Sequence, residues 1–349
     1  MISPELQKFI SSFSITVAQA MQKIDQNSNG ILFLVDQNEI LVGCITDGDI
    51  RRFLLTGGRI EADVMSAANR APKVAYTEAE AKALYHKKNY VAIPILNKKG
   101  AVIDLYRGAG NEYRVRSSLN IPVVINAGGR GTRLDPFTRV LPKPLIPVGD
   151  LPIIEHIMKE YQAYNCNHFH IIVNYKRELI KAYFADNDNQ YNISWYDEEK
   201  PLGTGGGLSL LRNKLDQTFI FSNCDNLLSA NYGQILNFHQ EQRNVITMIC
   251  ACKNISLPYG VVEMGMNGRI EAMKEKPILS FLTNTGIYIV EPEVIDEMED
   301  GKAIDFPDVI EWQMKIGRRV AAFPISESEW MDMGQLSELE KMRVKLYGK

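Results

Sequence analysis

The 349-residue chain has no long apolar run. Its apolar stretches, such as residues 31–35, fall far short of the roughly 20 residues that a membrane-spanning helix needs. No contact with a membrane is therefore expected. An excess of positive charge is also missing: 39 Lys and Arg stand against 42 Asp and Glu, a formal net charge of −3. Nucleic-acid binders favour strongly basic surfaces, so nucleic acid is not an expected partner. A small anionic ligand stays open, because a few local cations suffice for it. Cysteine is sparse, odd in number and scattered, at Cys44, Cys166, Cys224, Cys250 and Cys252. A reduced compartment fits that usage, and one C-x-C pair without a second is a poor zinc signal. Alternation along a strand would put Cys250 and Cys252 on one face as small core residues. The opening MISPELQKFISS lacks a charged segment followed by an apolar core, so no secretory leader is expected and the location is read as cytoplasmic.

What is present is an ordinary globular composition, 45% hydrophobic and 23% charged, at a length that suggests about two domains. From about residue 119, strand-like apolar runs (122–127, 168–173, 218–222, 245–252) alternate with helix-like segments (177–184, 232–241). Such alternation predicts βαβ units and a mixed, mainly parallel sheet, an α/β class of Rossmann-like type. Runs at 259–264, 269–274 and 283–290 come next at short spacing and predict an added antiparallel portion, with a closing helix at 335–346. Residues 1–118 read as a separate small α/β module. A helix at 17–24, strands at 31–35 and 41–45 and a helix at 47–55 find a rough echo in a helix near 78–87 and strands at 92–96 and 101–105, a weak repeat of about 55–60 residues. Residues 114–120 read as the linker.

The strongest local signal is Ala127-Gly128-Gly129-Arg130-Gly131-Thr132-Arg133, directly after a predicted strand. Glycines there let the backbone approach a phosphate chain with N–H groups turned toward it. A dinucleotide fingerprint fails, because Leu134 stands where its last glycine belongs. A P-loop fails too, because no Gly-Lys comes after it. Lys143, held between Pro142 and Pro144, is stiffly presented. A second cluster, Gly203-Thr204-Gly205-Gly206-Gly207, reads either as a flexible turn or as a place of close ligand approach. Asp225 comes after a predicted parallel strand, where α/β sheets bind ligands; helix capping is its plainer use.

The run GGRGTRLDPFTRVLPKPLIPVG resembles the signature of the sugar nucleotidyltransferase superfamily, and the resemblance extends over about residues 121–349. It implies a Rossmann-like catalytic domain at 119–349. It implies nucleotide binding by Ala127, Gly128, Gly129, Gly131, Thr132, Gly203, Thr204 and Gly205. Arg133, Lys143 and Asp225 become catalytic, with Arg133 and Lys143 on phosphate. Trp330-Met331-Asp332-Met333-Gly334 resembles the family's W-x-D-x-G, which makes Asp225 and Asp332 the ligands of a Mg²⁺ cofactor. Glu275-Lys276-Pro277 resembles its E-K-P, and Asn284-Thr285-Gly286 its sugar-pocket strand. Gly206, Glu275, Lys276, Asn284 and Gly286 are thereby assigned to the sugar phosphate. A surface ion pair is the plainer reading of Glu275 and Lys276.

In the front module, Gly43-Cys44-Ile45-Thr46-Asp47-Gly48-Asp49 resembles the G-x-x-T-x-x-D turn of CBS domains. That resemblance implies an adenine nucleotide on Thr46 and Asp49. The matching turn of the second repeat, at 104–108, lacks the pair, so one site at most is implied, and a structural or dimerising module is the other reading. A CBS pair ahead of this catalytic domain resembles the arrangement in glucosamine-1-phosphate guanylyltransferases of legionaminic acid biosynthesis. The implied substrates are GTP and glucosamine 1-phosphate, in a homodimer or higher oligomer. The Gly-Thr-Gly-Gly wording of the second cluster points the same way. Other hexose- or heptose-1-phosphate guanylyl-, uridylyl- or cytidylyltransferases, or a nucleotide sensor without activity, are the alternatives.

Overall fold

The computed structural model describes residues 4–27, 30–88, 90–107, 117–185 and 191–334, with 338 and 342. Residues 114–116 of the expected linker and most of the closing helix expected at 335–346 lie outside the described residues. The chain divides into two compact units: 1–114 with 251–283 and 324–328, and 115–250 with 284–323 and 329–349.

In the first unit the helix Val17–Asn27 leads into the strand Ile31–Val35, which pairs antiparallel with Leu41–Thr46. Ile10–Ser12 adds a parallel edge to Ile31–Val35. All five residues of Ile31–Val35 are buried, as its unbroken apolar run demands. Helix–strand–strand then recurs as Glu78–Lys88, Ile93–Leu96 and Val102–Tyr106. Residues 251–283 and 324–328 belong with this unit for contact reasons that a linear division at 118/119 misses. Cys252 lies within the cluster of Val17, Met21, Ile24 and Leu32. The Ser326 hydroxyl donates to Asp25, and Arg51 Nε donates to the Pro324 carbonyl at 3.1 Å.

The second unit is organised by a seven-stranded sheet whose order is Asn192–Asp197, His168–Val173, Val123–Asn126, Phe219–Asn223, Ile278–Val290, Ile246–Ser256, Val320–Ser326. The first four strands are mutually parallel, and Ile278–Val290 runs antiparallel to Phe219–Asn223. Val123–Asn126 is hydrophobic and buried through Ile125, as a central parallel strand must be. From it the chain passes through the helix Ile153–Gln162 outward to His168–Val173 and Asn192–Asp197, then returns to its other side with Phe219–Asn223. The strand order thus reverses at Val123–Asn126. In open α/β sheets the crevice outside the carboxyl ends of strands at such a reversal is where ligands bind. Here that crevice is framed by two segments, the first glycine loop after Asn126 and the Cys224-Asp225 turn after Asn223. Cys250 and Cys252 are both buried.

Candidate active site

The parallel register Asn223↔Asn126 sets the two loops side by side. Ala127 still belongs to the sheet, its N–H donating to the Ile172 carbonyl at 2.8 Å. The Gly128 N–H turns back to Asn126 Oδ1. Beyond it, among the described residues, no acceptor meets the N–H groups of Gly129, Arg130 and Gly131. Gly131 is left-handed at φ 65°, and a Cβ there would crowd Lys143 Cβ and Thr138 Cγ2, each at 3.0 Å. Glycine is needed on both counts. The outcome is an exposed run of unpaired donors leading into the short 3-10 turn Thr132–Leu134, which carries Arg133.

Lys143 opens another 3-10 turn, Lys143–Leu145, with Pro142 as its N-cap residue. Its ammonium is ion-paired to the Asp225 carboxylate, and only about an eighth of either side chain is exposed (13% and 12%). Desolvation pushes the Lys143 pKa down, but Asp225 and the nearby Asp332 more than offset it, so the ammonium is held in its charged form. Asp332 reaches the site through sheet pairing: Asn226–Leu228 pairs antiparallel with Trp330–Asp332, which sets Asn226 opposite Asp332. The Met333 N–H donates to the Asp225 carbonyl at 2.9 Å, and Trp330 Nε1 to Asn226 Oδ1 at 3.1 Å. Burial first, and the Asp225 charge second, raise the Asp332 carboxyl above its usual range; Lys143 and Arg133 pull the other way. Two carboxylates therefore compete for one lysine, an arrangement that a divalent cation would relieve. Among the described residues no three His, Cys, Asp or Glu groups lie together as metal ligands. Mg²⁺ is usually held by one or two carboxylates plus substrate phosphates, and Asp225 and Asp332 offer two.

The second glycine cluster is tied to its own chain. The N–H groups of Gly205 and Gly206 both donate to the Ile304 carbonyl at 3.0 Å, and the Thr204 N–H donates to Asp305 Oδ1 at 2.9 Å. A Cβ on Gly203 would approach the Ile304 carbonyl oxygen to 2.6 Å, and one on Gly206 would run into the Lys302 carbonyl. A 3-10 turn, Gly206–Leu211, begins within the cluster at Gly206 itself. Close packing on 302–306 therefore accounts for this wording, and of Gly203, Thr204, Gly205 and Gly206 it is Gly203 whose N–H meets no acceptor among the described residues. Gly206→Ala is expected to lower stability by about 2–3 kcal/mol, because no backbone atom can give way cheaply; urea unfolding measures it. Asn284 is likewise engaged, accepting from the Gly286 N–H and donating to the Tyr288 hydroxyl at 2.7 Å. Gly286, left-handed at φ 76°, faces Asn223 and Asn226. Glu275 and Lys276 belong to the first unit, as do Thr46 and Asp49. Thr46 and Asp49 form a capping box for the helix Asp47–Leu55: Asp49 N–H donates to Thr46 Oγ1, and the Thr46 N–H and hydroxyl both donate to Asp49 Oδ2.

One residue carries no signal in the sequence. Glu198 is 4% exposed, and its Oε1 has no hydrogen-bond partner. A Cβ on Gly207 would lie 2.6 Å from Oε1, and one on Gly128 would lie 2.9 Å from Oε2. The carboxyl thus sits where both glycine clusters leave room for it. Burial pushes its pKa up to about 7, against a smaller opposing effect of the Leu202 N–H.

Nucleotidyl transferase proteins share the sequence pattern of residues 122–347. The chain belongs to this family. It is 32% identical over 225 residues to the mannose-1-phosphate guanylyltransferase of Mycobacterium tuberculosis, and 30% identical over 239 residues to the UTP–glucose-1-phosphate uridylyltransferase of a Synechocystis species. These stretches cover 61% and 62% of this chain and span 61% and 60% of those proteins. Over 65% of this chain and 99% of the other, the fold is similar to that of HddC from Yersinia pseudotuberculosis, with a TM-score of 0.51 and 22% identity. Among the described residues no helix is long and apolar enough to cross a membrane.

Proposed function

We propose that this family member transfers a nucleoside monophosphate from a nucleoside triphosphate to a sugar 1-phosphate, releasing pyrophosphate, with GTP and glucosamine 1-phosphate as its substrates. The carrying observation is the row of unpaired N–H groups at Gly129–Gly131 beside the buried Lys143–Asp225 pair. A triphosphate is the ligand such a cradle of donors and cations fits. In the reaction an ionised oxygen of the sugar phosphate attacks the α-phosphorus in line, so no protein nucleophile or strong base is required. Catalysis is positioning plus stabilisation of negative charge. Arg133 and Lys143 meet the triphosphate. Asp225 and Asp332 would hold Mg²⁺, which when bound draws negative charge from the phosphate oxygens. Of the sugar-phosphate set, Glu275 and Lys276 would meet hydroxyl groups and phosphate.

Guanine is supported by Glu198. Its edge offers two adjacent donors, N1–H and the exocyclic N2 amino group, to a carboxylate with a free oxygen; uracil and thymine offer one N–H flanked by two carbonyls. A glutamate is a poor match for those carbonyls. The guanylyltransferase relative agrees with GTP, while the uridylyltransferase relative keeps UTP and other hexose 1-phosphates as the second reading. For the front module, adenine-nucleotide binding on Thr46 and Asp49 is proposed on the CBS-like wording alone.

Pyrophosphate release in Mg²⁺, with four NTPs and dTTP crossed against glucosamine, glucose, mannose and N-acetylglucosamine 1-phosphates, tests this. Turnover confined to GTP with glucosamine 1-phosphate supports the full reading, and another pair corrects the substrates. Silence from folded protein leaves a sensor. Arg133→Ala should lower kcat by roughly 10²–10³-fold; a loss below threefold would remove Arg133 from catalysis.

A further inference from the structure

The first unit contains a cavity of about 380 Å³. One wall is the start of the helix Val17–Asn27, presenting Gln19 and Gln22, with Glu61 nearby; the other is formed by Asn254, Glu275 and Lys276. We propose that this cavity receives a hexose 1-phosphate, and that Gln19, Gln22 and Glu61, from the N-terminal 118 residues, read the sugar. The proposal rests on the nucleotidyltransferase reading above and extends it to a part of the chain outside the family's matched residues.

Three observations carry it. The polar groups around the cavity do not satisfy one another. Among the described residues Lys276, Glu275 and Glu61 make no ion pair, and the Gln22 amide makes no hydrogen bond. Some of the wall is held in place. The Ser280 hydroxyl fixes Asn254 Oδ1 at 2.6 Å, while the Asn254 N–H points to Glu327 Oε2 at 3.4 Å, which leaves the Asn254 amide nitrogen to donate. Gln19 Oε1 accepts from the Thr16 N–H at 2.9 Å, which leaves its own amide nitrogen in the same position. Lys276 is held at φ 44°, a conformation that non-glycine residues adopt at a cost and that clusters at ligand-binding positions.

The charge pattern selects the ligand. The helix start is not an anion site, because the Val17, Ala18 and Gln19 N–H groups donate to the Ala62 carbonyl, the Ile60 carbonyl and Thr16 Oγ1. Lys276 is then the cation for a phosphate. Two carboxylates, Glu61 and Glu275, remain for a cationic or hydroxyl-bearing sugar, with three amides as donors. An amino hexose 1-phosphate satisfies all of these groups, and a cavity of this volume lies in the range of small-molecule sites.

The test is calorimetry and steady-state kinetics on the full chain. Glucosamine 1-phosphate and glucose 1-phosphate are titrated into the wild type and into Gln22→Ala, Glu61→Gln and Lys276→Ala. Gln22 and Glu61 are helix- and loop-surface positions, and the NTP KM serves as the internal control of folding. Gln22→Ala and Glu61→Gln should each weaken glucosamine 1-phosphate binding about tenfold with the NTP KM within twofold, and Glu61→Gln should narrow the preference over glucose 1-phosphate. If both variants bind both sugars as the wild type does while Lys276→Ala is impaired, the front wall does not read the sugar and the proposal fails, with the nucleotidyltransferase reading intact. If the wild type neither binds nor turns over any sugar 1-phosphate, the underlying reading fails instead.

Discussion

Lys143→Ala should reduce kcat by roughly 10²–10³-fold and lower stability as well. The second effect comes from the charge left behind. Asp225 is 8% exposed and its ionic partner is Lys143. Removing one member of a buried pair strands the other charge, at a cost of about 3–5 kcal/mol. The residual exposure of both side chains puts the value at the low end, about 3 kcal/mol. A double-mutant cycle separates the two effects. Lys143→Ala/Asp225→Ala should recover part of the lost stability, because no unpaired charge remains, while activity stays at the level of the worse single variant. Thermal unfolding and pyrophosphate release measure the two readouts. A Lys143→Ala protein that keeps a third of its activity would put the triphosphate somewhere else.

Glu198→Gln should change nucleotide choice and the pH profile together. A neutral amide offers one acceptor and one donor where guanine presents two donors, so kcat/KM for GTP should fall by about 10²-fold, with UTP gaining relative to it. Burial pushes the carboxyl pKa up to about 7, and only the ionised form accepts both donors. The wild-type KM for GTP should therefore rise about tenfold per pH unit below that value, and Glu198→Gln should flatten this dependence. Stability should move oppositely. A carboxyl whose pKa is raised on folding binds more protons in the native state, so its burial weakens the fold as pH rises from about 4.5 to 7 and fully above it. Glu198→Gln should then gain up to about 3 kcal/mol at pH 8 and nothing below pH 4.5. A GTP KM that is level with pH in the wild type would remove Glu198 from base recognition.

Much of this architecture could be read from local pattern. Ile31–Val35 and His168–Val173 are strands where their apolar runs end, and Asp47–Leu55 is a helix because Thr46 and Asp49 cap it. The first glycine loop was legible because its spacing excludes the other phosphate loops. What escaped depends on contacts distant in sequence. The strand Asn192–Asp197 interleaves Ile193, Trp195 and Tyr196 with Asn192, Ser194 and Asp197 and is only half-buried, so it carries no continuous apolar run. With no such signal before it, nothing in the sequence singles out Glu198. For the second glycine cluster the sequence leaves a flexible turn and a ligand approach both open, because nothing local announces that residues 302–306 press against it. In the same way, no residue near 251–283 or 324–328 indicates that these stretches pack with the N-terminal module.

The Asn223↔Asn126 register has a consequence for how such a chain can vary in length. Side chains alternate faces along each strand, so one residue gained or lost within Phe219–Asn223 would turn the face that holds Phe219 and Phe221 in the core outward and withdraw Asp225 from Lys143. Length can change in this region only beyond those strands. A scan of single-residue insertions should accordingly find strict intolerance across 123–126 and 219–226, and tolerance at exposed turns such as 149–150.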